Sequence, residues 1–184
     1  MSNLYLIGYR AAGKSVVGRK LAATLGLPFQ DSDLLLVERA GLSISAFVEN
    51  FGWAAFRKLE SEILKECDAS AAMVLATGGG MVLDSDNRAF LRSRGRVIWL
   101  KAGPEVISTR LALDSQTAGF RPPLTALSPA EEIRRGLVER EPLYREIAHY
   151  VIEVERLSPD AIVARIVDYL QKNRTLMQSL KVMP

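Results

Sequence analysis

Five short apolar runs divide the chain: Leu4-Tyr5-Leu6-Ile7, Phe29-Gln30, Met73-Val74-Leu75-Ala76, Val97-Ile98-Trp99-Leu100, and Tyr150 to Val154. Apolar runs of this length, bounded by turn residues, read as buried strands. Segments with helical spacing lie between them. The first runs from Lys14 to Leu25, with Val17, Leu21 and Leu25 on one face, and Gly26-Leu27-Pro28 stops it. A helical stretch from Leu34 to Asp68 breaks near Gly41 and Gly52. Further helices are predicted from Ser85 to Arg94 and from Pro104, well placed in a first turn, to about Ala112. Ser128-Pro129-Ala130-Glu131 starts another with a capping box. Ser158-Pro159-Asp160 opens the last, which carries Ile162, Ile166 and Leu170; the polar tail after Gln171 is expected to fray. The stretch from Leu113 to Leu127 has Gly119, Pro122 and Pro123 and little periodicity, and is predicted to be a mobile loop. No internal repeat is present.

Strands alternating with helices predict an α/β fold, a three-layer α/β/α arrangement around a parallel sheet of about five strands. With 184 residues, 48% of them hydrophobic, the chain suits one domain over residues 1–184 with one core. Ligands of such sheets bind beyond the carboxyl ends of the strands. The chemistry-bearing residues follow strands, so they are expected to converge on one edge.

The first strand runs into Gly8-Tyr9-Arg10-Ala11-Ala12-Gly13-Lys14-Ser15, and a helix follows. This is G-x-x-x-x-G-K-[ST], the phosphate-binding P-loop, in its strand-loop-helix setting. Gly8 and Gly13 allow turns and backbone approaches that a Cβ blocks. The loop N–H groups and the helix N-terminus face an anion. Lys14 reaches the β- and γ-phosphates of a nucleotide, and the Ser15 hydroxyl is a ligand for Mg²⁺. Arg10 is expected to point out of the loop.

Composition adds less. The net charge is +3 and the isoelectric point about 9.1. The basic groups Arg92/Arg94/Arg96 and Arg134/Arg135 read as solvated faces, so no nucleic-acid partner is expected. Arginine outnumbers lysine, and its planar fork suits carboxylates and phosphates, so an anionic substrate is expected. The single cysteine, Cys67, reads as core; it forms no internal disulfide and no cysteine metal site. The single histidine, His149, has no partner motif and reads as structural. No signal segment or membrane span is recognised, so a cytoplasmic setting is the default.

Asp31-Ser32-Asp33 follows the second strand. Two carboxylates there can divide labour, one for Mg²⁺, directly or through water, and one to accept a proton from an attacking hydroxyl, while Asp-Ser-Asp also reads as an ordinary helix cap. Thr77-Gly78-Gly79-Gly80 ends the third strand and offers bare backbone to a ligand. Among the arginines, Arg57 lies off the core-facing side of Phe56 and Leu59, where Glu60 at i+3 orients it. Arg110 closes a helix, Arg121 precedes Pro122-Pro123, and Arg140 lies in Glu139-Arg140-Glu141-Pro142-Leu143-Tyr144.

In combination the P-loop, Asp31-Ser32-Asp33, Phe56-Arg57-Lys58-Leu59-Glu60, Thr77-Gly78-Gly79-Gly80, Phe120-Arg121-Pro122 and Pro142-Leu143-Tyr144-Arg145 resemble shikimate kinase, in order and at similar spacing, from about Leu4 to the final helix. The resemblance implies a P-loop kinase with a nucleoside monophosphate kinase-like fold. It implies transfer of the γ-phosphoryl of ATP to the 3-hydroxyl of shikimate, giving shikimate 3-phosphate and ADP on the route to chorismate and aromatic amino acids. It assigns Lys14, Asp33 and Arg121 to catalysis, with Asp33 the candidate base. It assigns ATP to Gly8, Ala11, Ala12, Gly13, Lys14, Ser15, Val16, Arg110 and Arg121, with Arg110 near adenine. It gives Mg²⁺ to Ser15 and Asp31. It gives shikimate to Asp33, the Gly78-Gly79-Gly80 backbone, Arg57 and Arg140, the two arginines forking the carboxylate. A helical substrate-binding region over about 31–60, a mobile lid over about 113–127 and a monomer are also implied. Two positions depart from the family: Ala11 stands where glycine is usual, and Val16 where a second hydroxyl is frequent.

Two alternatives stand beside this one. Another small-metabolite P-loop kinase shares the loop but differs in acceptor. A nucleotide-binding regulator without turnover has no need of Asp33, Lys14 and Arg121 together.

Overall fold

The computed structural model describes residues 3–67, 72–113 and 128–180. Its strands are β1 (Asn3–Ile7), β2 (Phe29–Asp31), β3 (Val74–Ala76), β4 (Gly95–Lys101) and β5 (Tyr150–Glu153). Its helices are α1 (Lys14–Leu25), α2 (Ser32–Ala40), α3 (Ile44–Cys67), α4 (Ser85–Arg94), α5 (Pro104–Leu113), α6 (Pro129–Ile147) and α7 (Pro159–Leu180). The strands form one parallel sheet in the order β2-β3-β1-β4-β5. β1 is central, with Leu4 opposite Val74 of β3 and Tyr5 opposite Val97 of β4.

The unbroken apolar sequence of β1 has a simple cause. Both faces of the sheet are covered, so both alternating sets of side chains are buried. Leu4 and Leu6 pack with Val17 and Leu21 of α1 and Ile162 and Ile166 of α7. Tyr5 and Ile7 join Ile63 and Leu64 of α3, Leu91 of α4 and Tyr144 of α6 on the other face. β4 divides likewise, Ile98 and Leu100 to one core, Val97 and Trp99 to the other. Cys67 and His149 are structural. Cys67 is buried in the second core, and the His149 Nδ1 accepts the Val97 N–H at 3.1 Å. Burial, with Arg96 and Arg92 nearby, holds the imidazole below its ordinary pKa.

Some boundaries differ from the sequence reading. α2 starts at Ser32 rather than Leu34, because Asp31 caps it: its Oδ1 accepts the Asp33 N–H at 3.0 Å. Gly41 ends α2 at φ 64°, and Gly52, at φ 78° and ψ 167°, interrupts α3. β3 loses Met73, whose N–H goes to Asn3 Oδ1 at 3.1 Å. β4 begins two residues before its apolar run, because Asn3 pairs with Gly95, where a Cβ would collide with the Asn3 carbonyl. α7 runs past Gln171 to Leu180 instead of fraying there. Lys172 pairs with Asp168 at 2.7 Å, Asn173 Nδ2 donates to the Tyr169 carbonyl at 2.8 Å, and no glycine or proline follows until Pro184. The predicted loop over 113–127 lies outside the described residues, except for Leu113, which closes α5.

α1 meets the sheet through Gly18. A Cβ there would lie 2.5 Å from Phe29 Cε2 and 3.3 Å from Leu6 Cδ1. Gly18→Ala is expected to destabilise the fold by about 1–3 kcal/mol through overpacking, more than its gain in helix propensity. Urea unfolding of the variant and its parent measures this, and an unchanged midpoint refutes it.

Candidate active site

The carboxyl ends of β1, β2 and β3 release residues 8–15, Ser32 onward and Thr77–Gly80 to the same edge. Gly8 turns the chain at φ 141°, so close to β4 that a Cβ would lie 2.5 Å from the Leu100 carbonyl oxygen. Ala11 adopts φ 59°, a left-handed conformation that glycine takes without strain. Gly13, at φ 99°, is the N-cap of α1. Lys14 is buried, with its Nζ donating to the Gly8 carbonyl at 2.8 Å and the Tyr9 carbonyl at 2.9 Å. Ser15 Oγ donates to Asp31 Oδ2 at 2.5 Å. A cavity of about 430 Å³ covers the loop, lined by Ala11 to Val17, Asp31, Asp33, Thr77 and Arg110, with Leu157, Pro159 and Ile162 as an apolar wall. Arg110 Nη1 donates to the Ala11 carbonyl at 3.1 Å, which fixes the guanidinium beside Gly13.

A second, tighter cavity of about 50 Å³ lies on the other side of Asp33. Arg57, Arg140, Gly79 and Gly80, which the resemblance gives to the substrate, line it together with Arg10, Ile44, Trp53, Phe56 and Glu60. Asp33 borders both cavities. A larger groove of about 870 Å³ between α5 and α6 holds none of these groups.

Each arginine of the small cavity is held differently. Arg57 lies over the rings of Phe56 and Trp53, 5.1 and 5.4 Å from their centroids, and its Nη1 donates to Glu60 Oε2 at 2.5 Å. Its guanidinium fills the space where Gly80 has no side chain. Arg140 Nη1 donates to the Gly79 carbonyl at 3.3 Å, and Tyr144 Oη donates to the same oxygen at 2.6 Å. Arg10 leaves the phosphate loop, but toward the small cavity and not toward solvent. Its side chain turns inward and pairs with Glu132, a buried residue of α6 that is 122 positions away, a distance that hides the pair from any local pattern. Of the glycine backbone, the Gly78 N–H already donates to Ser32 Oγ at 2.8 Å. Asp33 Oδ1 and Glu60 Oε1 crowd the side of Gly78 that has no Cβ. Arg121 lies outside the described residues.

No cluster of three or more His, Cys, Asp or Glu that could hold a metal exists among the described residues. The Ser15–Asp31 pair nevertheless fits a Mg²⁺ that arrives with a nucleotide. Mg²⁺ takes one or two protein oxygens and fills its shell with phosphate and water.

A nucleotide loop and an arginine-lined acceptor cavity that meet at one aspartate make this a P-loop phosphotransferase for a small molecule. The family model for "Shikimate kinase" matches residues 10–171. The shikimate kinase of Nitratidesulfovibrio vulgaris is 46% identical over 165 residues, 90% of this chain and 91% of that one. A shikimate kinase from Acinetobacter baumannii, solved in complex with shikimate, superposes at a TM-score of 0.87 and 37% identity over 94% of each chain. A gluconokinase from Sinorhizobium meliloti covers 94% of this chain and 97% of its own at a TM-score of 0.57, but at 18% identity it shares only the fold. The chain belongs to the shikimate kinase family.

Glu60 carries a pH dependence. Burial pushes its carboxyl up to about 7 and Asp33 adds to this, while the Arg57 guanidinium and Arg140 oppose it. Below pH 7 a neutral Glu60 leaves the Arg57 charge uncompensated, and on the resemblance that charge would face a substrate carboxylate. Above pH 7 the Glu60 carboxylate competes for it. The KM for an anionic acceptor is therefore expected to rise between pH 6 and 8, and Glu60→Gln is expected to flatten that profile. The stability sign agrees. A carboxyl whose pKa is raised on folding stabilises fully below its unfolded value of 4.5, and that contribution is lost as pH rises through about 7. Urea midpoints at pH 5 and pH 8 should diverge less in Glu60→Gln than in the parent.

Proposed function

We propose that this chain phosphorylates shikimate, transferring the γ-phosphoryl of ATP to the 3-hydroxyl to give shikimate 3-phosphate and ADP, on the route to aromatic amino acids. The observation that carries the assignment of roles is the position of Asp33 on the boundary between the nucleotide cavity and the arginine-lined cavity. A hydroxyl bound there faces the γ-phosphate across one carboxylate, and phosphoryl transfer depends mainly on such positioning and on charge neutralisation.

On this reading the loop N–H groups from Ala11 to Val16 hold the phosphates, and Arg110 with the Leu157–Pro159 wall takes the base. Lys14 leaves the Gly8 and Tyr9 carbonyls to meet the phosphoryl oxygens, where charge shifts during transfer. Ser15 and Asp31 hold the Mg²⁺, which supplies further neutralisation of phosphate charge. Asp33 orients the reacting hydroxyl and accepts its proton. Arg57 and Arg140 fork the carboxylate, and the Gly79–Gly80 backbone lies along the ring. Arg121 contributes a further cation to the transferring group, an assignment that stands on Phe120-Arg121-Pro122 in the sequence. We propose that the chain works as a monomer. A cytoplasmic setting, where ATP and Mg²⁺ are at hand, completes the proposal.

Coupled ADP release tests the assignment. It is expected only with ATP, Mg²⁺ and shikimate together; equal release without shikimate, or a preference for gluconate or a nucleotide as acceptor, refutes it. Lys14→Ala should lower kcat by on the order of a hundredfold, the usual loss for an electrostatic contact to the transition state. Arg57→Lys keeps the charge but loses the fork, so shikimate KM should rise with ATP KM little changed. A rise in ATP KM instead removes Arg57 from the acceptor site.

A further inference from the structure

The second residue of the P-loop does not line the nucleotide cavity, yet it carries one of the largest fully buried side chains in the molecule. Tyr9 is 1% exposed. Its backbone is fixed from two sides, because its carbonyl accepts the Ala12 N–H at 3.2 Å and the Lys14 ammonium at 2.9 Å. Its ring crosses to α6 and lands on Gly136. A Cβ at Gly136 would lie 2.6 Å from the Tyr9 Oη and 2.8 Å from its Cε2, so the helix is notched for this ring. One turn further along α6, the guanidinium of Arg140 sits over the same ring, 5.2 Å from its centroid.

Besides the ring, that guanidinium has the Tyr144 hydroxyl and the Gly79 carbonyl beside it and Glu60 at longer range. Arg140 is 7% exposed and makes no ion pair among the described residues. Its Nε has no hydrogen-bond partner there, and its bond to the Gly79 carbonyl is long, at 3.3 Å. Arg57, by contrast, has Glu60, and Arg10 has Glu132. A desolvated arginine stacked on an aromatic face has its plane set by that face.

We propose that Tyr9 is a positioning residue for the acceptor site: its ring sets the plane in which Arg140 presents its fork to the substrate carboxylate. This rests on the reading of Arg140 as a carboxylate-binding residue. The Tyr9 hydroxyl lies near the Arg10 guanidinium but makes no bond of hydrogen-bond geometry. The ring is therefore the active part, and phenylalanine should replace tyrosine.

The test is steady-state kinetics on Tyr9→Phe, Tyr9→Leu, Arg140→Ala and the Tyr9→Leu/Arg140→Ala double variant. Tyr9→Leu should raise shikimate KM about tenfold, the loss of a buried cation–π contact. Its kcat and ATP KM should stay within about twofold of the parent, because the lost contact binds the acceptor and not the transition state alone. Tyr9→Phe should restore the parental KM, and Tyr9→Leu should add nothing once Arg140 is gone. A ring that only fills the core predicts otherwise: a lower melting temperature with shikimate KM unchanged, or the same added loss in both backgrounds. Either result overturns the proposal. If Arg140→Ala itself leaves shikimate KM unchanged, the carboxylate reading fails and takes the proposal with it. If Arg140→Ala raises KM and Tyr9→Leu does not, the proposal alone fails. Should Tyr9→Leu not fold, Gly136→Ala keeps the ring but presses on it from the helix, and the same selective rise in shikimate KM is expected; a parental KM in that variant is equally a refutation.

Discussion

The carboxylate of Asp31 joins the parts of this site. One oxygen accepts the Ser15 hydroxyl at the start of α1, and the other accepts the backbone of Asp33 at the start of α2. The P-loop helix and the helix that carries the candidate base are thus tied to one side chain at the end of β2. Asp31 is 8% exposed, so both bonds are made where water competes poorly. The same two contacts fix the relation between the phosphate end of the nucleotide cleft and Asp33. Any Mg²⁺ held by Ser15 and Asp31 would enter an arrangement that the protein has already built.

Around the acceptor cavity the governing constraint is charge. Three arginines approach a space of about 50 Å³. Left alone, three cations so close and so dry would oppose folding. Arg10 is balanced by Glu132 and Arg57 by Glu60, each acid buried beside its partner. The rings of Tyr9, Trp53 and Phe56 add face contacts to the same cations. Arg140 has a ring and a carbonyl but no close ion pair among the described residues, and it feels Glu60 only at longer range. On the proposed function, it is the cation in this cavity with the most to gain from an incoming carboxylate.

Glycine is needed here for space as much as for conformation. Gly78 gives way to Asp33 and Glu60, Gly80 to Arg57, and Gly136 to Tyr9. Each absent side chain lets a functional or supporting group come closer to backbone than a Cβ allows. Ala11 is the opposite case: a residue with a Cβ in the left-handed region, inside the loop that must present its N–H groups to phosphate.

The sequence by itself determined the strand and helix order, because buried parallel strands read as apolar runs and the helices carry their own caps. It also determined the phosphate loop, Asp31 with Asp33, and the glycine turn, because each is a local pattern attached to a strand end. Arg57 could be placed with Glu60 because three positions on a helix are neighbours. Arg110 and Arg140 stood out only by resemblance, since a lone arginine in a helix has no local mark of its role. Tertiary structure alone decided the rest. It turned Arg10 inward to Glu132, set Tyr9 under Arg140 and made Glu60 a buried acid. Those contacts join β1's loop to α6, or α3 to the glycine turn, across tens of residues, and no periodicity along the chain encodes which distant side chain will fill a given space.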